Sequence, residues 1–186
     1  AHMVETAVQH DAGPIALRFP RGAGTGVALP DRPQALPLGR GRVMAEGTDI
    51  AILSYGSLLP EALQAAQQLA GDGISVTVAD ARFAKPLDME LLRQLSRHHG
   101  GLITLEPGAR GGFGALVLQW LAAEGLLDGA LRLRCLHLPD RPIAQGTPAQ
   151  MYADAGLTAD AIATTARSMV AQTAGTAAVH GLRRVK

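Results

Sequence analysis

Short apolar runs alternate with stretches whose apolar residues recur at helical spacing, and Gly, Pro or Asp stands at nearly every changeover. The runs are Asp49–Ser54, Ile74–Ala79, Leu102–Leu105 and Leu131–Leu138. Each has the length of a buried strand. Between them, Leu59, Ala62, Leu63, Ala66, Leu69 and Ala70 fall on one helical stripe. Met89, Leu91, Leu92 and Leu95 form a second, and Phe113, Leu116, Val117, Trp120 and Leu121 a third. Strands alternating with amphipathic helices predict an α/β fold: a mostly parallel open sheet with helices on both faces. The punctuation agrees. Ser57, Asp88, Thr147 and Thr158 stand where helix N-caps belong, with Pro148 after one of them. Gly71-Asp72-Gly73, Gly125 and Gly156 close helices. The last helix carries Ile162, Ala166 and Met169.

The N-terminal fifth reads differently. Ala1-His2-Met3 has the look of an expression-vector scar, and Val4–His10 of a helix end. His10–Pro14 is a turn. Ile15–Phe19 reads as a buried strand that stops at Pro20, because proline donates no ladder hydrogen bond. Residues 23–41 are Gly- and Pro-rich without periodicity and form a linker. The main unit is 42–171, and 172–186, small residues ending in Arg183-Arg184-Val185-Lys186, reads as a disordered tail. The segment 4–22 then belongs to a unit distinct from 42–171.

Composition removes several functions. The chain has 186 residues, 47% of them hydrophobic, which suffices for one core. A net charge of +1 and 3% aromatic residues leave neither a basic footprint nor stacking platforms for nucleic acid. No run reaches the ~20 apolar residues of a membrane span, and no secretory signal opens the chain. A single cysteine, Cys135, forms no internal disulfide and fits a reducing, cytoplasmic setting. Strand alternation puts Cys135 and His137 on one face, away from Arg132 and Arg134, and a small core residue is the default for a free cysteine.

Few residues suggest chemistry on their own. Arg21 follows the Ile15–Phe19 run, at the kind of strand end where open α/β sheets bind ligands, and its fork of donors suits phosphate; a surface ion pair is the plain alternative. Gly108–Gly114 lies between a strand and a helix, where backbone N–H groups can cradle an anion, but it completes neither a dinucleotide fingerprint nor a P-loop. Tight strand-to-helix packing explains it as well. Gly71-Asp72-Gly73 is similar to the start of the diphosphate motif of thiamine diphosphate enzymes, yet the chain contains no asparagine to complete it, and it reads as a turn. Asp80, Asp88, Glu106 and Asp140 are not paired across a substrate by any spacing. His98-His99 suits the carboxyl end of a helix, and no metal-ligand spacing is evident.

Several segments, in register from Asp11 to Val170, resemble one family. Gly13-Pro14-Ile15-Ala16-Leu17-Arg18-Phe19-Pro20-Arg21-Gly22 is similar to the G-P-x-A-x-R-Y-P-R-G of 1-deoxy-D-xylulose-5-phosphate synthases. Asp80-Ala81-Arg82-Phe83-Ala84-Lys85-Pro86-Leu87-Asp88 resembles their D-x-R-F-x-K-P-L-D. Leu138-Pro139-Asp140-Arg141-Pro142-Ile143 with Gln145-Gly146-Thr147-Pro148 resembles their L-P-D segment. Phe19 stands for the commoner tyrosine and Glu106-Pro107 for the frequent Glu-Glu. The resemblance implies the end of a pyrimidine-binding domain (4–22) and a transketolase-type C-terminal domain (42–171) of a much longer transferase. That enzyme joins pyruvate to glyceraldehyde 3-phosphate with loss of carbon dioxide, for isoprenoid and thiamine biosynthesis. It implies thiamine diphosphate and magnesium bound outside this segment, no catalytic residue within it, the missing N-terminal domains as partners, and a homodimer. By resemblance Arg21, and with it Arg82, binds the phosphate of glyceraldehyde 3-phosphate, while Arg18 buttresses the strand. Alone, the segment would be inactive and structural. Two alternatives stand beside this: the same domain of a transketolase or of a 2-oxo acid dehydrogenase β subunit, and a free-standing α/β module binding an anion at Gly108–Gly114.

Overall fold

The computed structural model describes residues 1–20, 24 and 26–181, with side chains as far as Ala171. Its elements run α1 (His2–Val8), β1 (Arg42–Ala45), β2 (Ile50–Ser54), α2 (Leu59–Gly71), β3 (Val76–Asp80), α3 (Met89–His98), β4 (Gly101–Leu105), α4 (Phe113–Ala123), β5 (Arg132–Leu136), α5 (Pro148–Ala155) and α6 (Ala159–Gly181). The five strands form one sheet in the order β1-β3-β2-β4-β5. The pairs β2–β3, β2–β4 and β4–β5 are parallel, and β1 lies antiparallel on β3. The mostly parallel sheet is the one the alternation predicts.

All five residues of the central strand β2 are buried, as a strand covered on both faces must be. Period-2 geometry sends Ile50 and Ile52 to one face, where Leu58, just before α2, joins Leu69 of α2 and Ile162 and Met169 of α6. Ala51 and Leu53 turn to the other, where α3 and α4 supply Leu91, Leu95, Phe113 and Val117. The chain leaves β2 through α2 on the first face and β4 through α4 on the second. Strand order therefore reverses beside β2, which opens a crevice at the carboxyl ends of β2, β3 and β4.

Local chemistry sets the helix ends. The Asp88 carboxylate accepts the Leu91 N–H at 3.0 Å and so caps α3, and its other oxygen accepts the Gly41 N–H at 2.9 Å. Thr147 and Gln150 close a capping box on α5, and Gly156 ends that helix at φ +70°. Arg141 holds the Asp140-Arg141 turn against α5 through Asp154 at 2.9 Å, and its hydrogen bonds and charge keep the Asp154 carboxyl below its ordinary value.

Four expectations are corrected. Ile15–Phe19 forms no strand: among the described residues nothing pairs with it, and Phe19 is 71% exposed rather than in a core. A strand needs a sheet edge to pair with, and the five strands take only one another. Ser57 does not cap α2; Leu58 holds that position without a side-chain bond, and the Ser57 hydroxyl lies 3.3 Å from the Tyr152 hydroxyl. The helix end read at Val4–His10 is a separate helix, α1, which begins at His2 and stops at Val8; the His2 ring accepts the Gln34 N–H at 3.0 Å. Finally, α6 continues to Gly181, beyond Ala171. The added stretch contains Ala174, Ala177 and Ala178, alanine being the best helix former, and no proline intervenes.

Candidate functional site at the carboxyl end of the sheet

A cavity of about 1140 Å³ opens where β2, β3 and β4 end. One wall is the Tyr55-Gly56-Ser57 turn, a second is Asp80 to Lys85, and a third is Pro107. The exposed segment Pro14–Pro20 closes it from outside. The unpaired N-terminal segment thus lies over the crevice instead of in a sheet. Arg18 ties it there, donating from Nη2 to the Pro107 carbonyl at 3.1 Å. Arg18 accordingly bridges to the loop after β4 and buttresses no strand.

The cavity is basic. Arg18, Arg42, Arg82 and Lys85 line it, against one carboxylate, Asp80. Arg82 adopts φ +58°, alone in the left-handed region among the described non-glycine residues. Such backbone strain at a residue other than glycine concentrates at functional sites. Its Nε lies 3.8 Å from Asp80 Oδ2, and its side chain is 20% exposed. Burial pushes the guanidinium below its ordinary value; the like charge of Arg42 pushes the same way, and Asp80 opposes both.

Of the two arginines singled out in the sequence, the structure puts Arg82 in the crevice with the guanidinium on its wall; Arg21 lies outside the described residues. The ion pair read as the alternative for Arg82 exists toward Asp80 but not Asp88, whose carboxylate is taken by Arg40 and the cap. Arg42 and Lys85 were not singled out. Lys85 stands inside the D-x-R-F-x-K-P-L-D match; Arg42 carried no signal.

Gly108–Gly114 is not an anion-binding loop. Glu106, 3% exposed, fills it from within: its carboxylate accepts the Phe113 N–H at 2.9 Å and the Gly114 N–H at 2.8 Å. The positive end of α4 therefore already holds an anion. A Cβ at Gly108 or Gly112 would come within 2.4 Å of that carboxylate, and one at Gly114 within 2.7 Å of the Thr104 hydroxyl. Tight packing, the second reading of this loop, explains its glycines. Cys135 lies under the same turn, half-buried, with Sγ 3.6 Å from the Gly114 carbonyl. His99 is not a solvated end: its ring contacts the Leu95 carbonyl at 2.9 Å and the Thr77 hydroxyl at 2.8 Å.

Asp72, in the Gly-Asp-Gly turn, is bound to Arg167 at 2.7 Å between α2 and α6. Among the described residues no three His, Cys, Asp or Glu side chains converge to hold an ion, and no helix is long and apolar enough to cross a membrane.

A parallel sheet with one antiparallel edge, reversing at a basic crevice that its own N-terminal segment overlies, defines an α/β domain of the doubly wound class. The chain belongs to the transketolase C-terminal domain family, whose model ("Transketolase, C-terminal domain") matches residues 39–162. It is 62% identical over 162 residues to a 1-deoxy-D-xylulose-5-phosphate synthase 2 from Jannaschia sp. (strain CCS1), over 87% of this chain and 26% of that one. It is 52% identical to a 1-deoxy-D-xylulose-5-phosphate synthase from Rhodobacter capsulatus, over 96% of this chain and 28% of the relative. The chain thus spans about a quarter of these relatives' length. Among solved structures, a split-gene transketolase, described as an inactive beta4 tetramer, superposes with a TM-score of 0.66 at 30% identity, over 74% of this chain and 44% of that one. A transketolase from Pichia stipitis shares the fold, with a TM-score of 0.51 at 20% identity over 70% of this chain and 18% of that one.

Proposed function

We propose that this chain is the C-terminal part of a thiamine diphosphate-dependent 1-deoxy-D-xylulose-5-phosphate synthase, and that it supplies cations for the phosphate of glyceraldehyde 3-phosphate. The basic crevice carries the reading. Arg82 is held there in a strained backbone conformation, on the cavity wall with Arg18, Arg42 and Lys85. Thiamine diphosphate, with magnesium, would be carried by the rest of the polypeptide and supplies the carbanion chemistry that releases carbon dioxide from pyruvate. What this chain adds is orientation. A phosphate fixed by Arg82, and by Arg21 through its P-R-G match, leaves the aldehyde end of the triose directed out of the crevice, toward the domains that hold the cofactor. Binding energy from a non-reacting group is thereby spent on placing the reacting one. The segment alone then has no turnover, and the complete enzyme, a cytoplasmic homodimer on this reading, feeds isoprenoid and thiamine biosynthesis.

The reading is testable on this chain by itself. Titration with glyceraldehyde 3-phosphate, followed through arginine Nε–Hε resonances, should move the Arg82 signal saturably and leave Arg97, exposed at the end of α3, unmoved. Equal, non-saturating drift of all arginines would mean that the crevice selects no phosphate.

A further inference from the structure

We propose that Asp80 is a positioning residue for Arg82, holding its guanidinium in the crevice through a backbone contact, with Arg42 fixing the Asp80 carboxylate in turn. The proposal rests on the reading of Arg82 as a phosphate ligand and deepens it.

Asp80 is the last residue of β3. The Ala81 N–H continues toward β2, donating to the Ser54 carbonyl at 2.8 Å. The chain then turns sharply, with Arg82 at φ +58°. An L-residue enters that region at a cost in free energy, and its N–H is turned away from the ladder. Asp80 Oδ1 accepts that N–H at 3.2 Å, the local side chain-to-backbone bond by which Asp stabilises a turn two residues on. The second oxygen faces both arginines: Arg42 Nε donates to Oδ2 at 3.1 Å, and Arg82 Nε lies 3.8 Å from it.

Sheet geometry makes this possible. Because β1 is antiparallel to β3, its first residue stands beside the last residue of β3, with Arg42 in register with Asp80. The Arg42–Asp80 bond thus forms across one rung of the ladder and holds the Asp80 carboxylate, 14% exposed, beside the Arg82 turn. Arg82 itself has no side-chain hydrogen bond among the described residues, so its donors remain available on the cavity wall.

A carboxylate in a phosphate site has an obvious simpler role, that of a competing anion, and the two roles differ in sign. If Asp80 merely competes with phosphate, removing it tightens binding. If it positions Arg82, removing it loosens binding. The experiment is steady-state kinetics of the complete enzyme with Asp80→Ala, Asp80→Asn, Arg82→Ala and the Asp80→Ala/Arg82→Ala double variant, varying the two substrates separately. Asp80→Ala should raise KM for glyceraldehyde 3-phosphate about tenfold, comparable to loss of one charge-assisted hydrogen bond, with kcat and the KM for pyruvate little changed. Asp80→Asn, which keeps the acceptor for the Arg82 N–H, should recover most of that loss. On the Arg82→Ala background, Asp80→Ala should add nothing. A lowered KM in Asp80→Ala, additive effects in the double variant, or an Asn variant as poor as the Ala variant would overturn the positioning role while leaving Arg82 a ligand. An Arg82→Ala enzyme with unchanged KM would overturn the ligand reading and this proposal with it. Thermal unfolding of both Asp80 variants separates misfolding from either result, and Asp80→Asn keeps the comparison open should Asp80→Ala fail to fold.

Discussion

Replacing Glu106 by alanine should lower the melting temperature by about 6–12 °C. The carboxylate is buried and accepts two backbone N–H groups, of Phe113 at 2.9 Å and Gly114 at 2.8 Å. Hydrogen bonds to a charged group contribute ~1.5–3 kcal/mol each, and a buried donor left unpaired costs ~1–3 kcal/mol. The favourable alignment with the amino end of α4 is lost as well. These costs overlap rather than add, and about 3 kcal/mol, the lower bound for two such bonds, is the loss expected. Water cannot readily take the vacated place, because Gly108 and Gly112 close over the carboxylate. Glu106→Gln sharpens the test. It conserves volume but presents an NH2 group to one of two fixed donors, so it should recover little of the loss. Circular dichroism melts of the two variants decide the matter. A shift under about 2 °C, or a Gln variant as stable as the parent, would show that the α4 N-terminus is stabilised by something other than this carboxylate.

Replacing Arg82 by alanine should cost the complete enzyme about ten- to a hundredfold in kcat/KM for glyceraldehyde 3-phosphate, the equivalent of ~1.5–3 kcal/mol for a charge-assisted contact. Pyruvate carries no phosphate and should be nearly indifferent. Arg82→Lys should be intermediate, since an ammonium keeps the charge without the planar fork. Arg82→Gly removes the side chain and also relieves the φ +58° backbone. It should therefore be as defective as Arg82→Ala in triose binding while melting no lower than the parent. Initial rates with each substrate varied in turn measure all of this. Equal, small effects on both substrates would make Arg82 a structural residue.

Much of the fold was legible because each element carried its own local signal. The α3 helix had an Asp cap, an apolar stripe and a following strand, and all three agree with the structure. What escaped depends on contacts distant in sequence. β1 is four residues, Arg-Val-Met-Ala, three of them exposed; on an edge strand, no burial pattern marks it. Ile15–Phe19 has strand composition but no partner, and composition cannot supply one. Glu106 looked like a carboxylate beside a turn, and its role appears only when the helix beginning seven residues later folds back over it. Its one visible signal was the pair Gly108 and Gly112, both too close to it for a side chain. In the site, Arg82 was reached through the D-x-R-F-x-K-P-L-D match. The tie through Asp80 to Arg42, far back in the chain, follows from antiparallel pairing that no spacing reveals, and no motif marks the left-handed backbone at Arg82.

The most direct test of the account compares two acceptors on the complete enzyme with pyruvate: glyceraldehyde 3-phosphate and unphosphorylated glyceraldehyde. If this chain contributes the cations that hold the phosphate, the parent should form 1-deoxy-D-xylulose 5-phosphate with a strong kcat/KM preference for the phosphorylated acceptor, and Arg82→Ala should collapse that preference by about tenfold or more, by loss of the phosphorylated rate alone. A preference that survives Arg82→Ala unchanged, or an enzyme that forms no deoxyxylulose phosphate from these substrates, would contradict it.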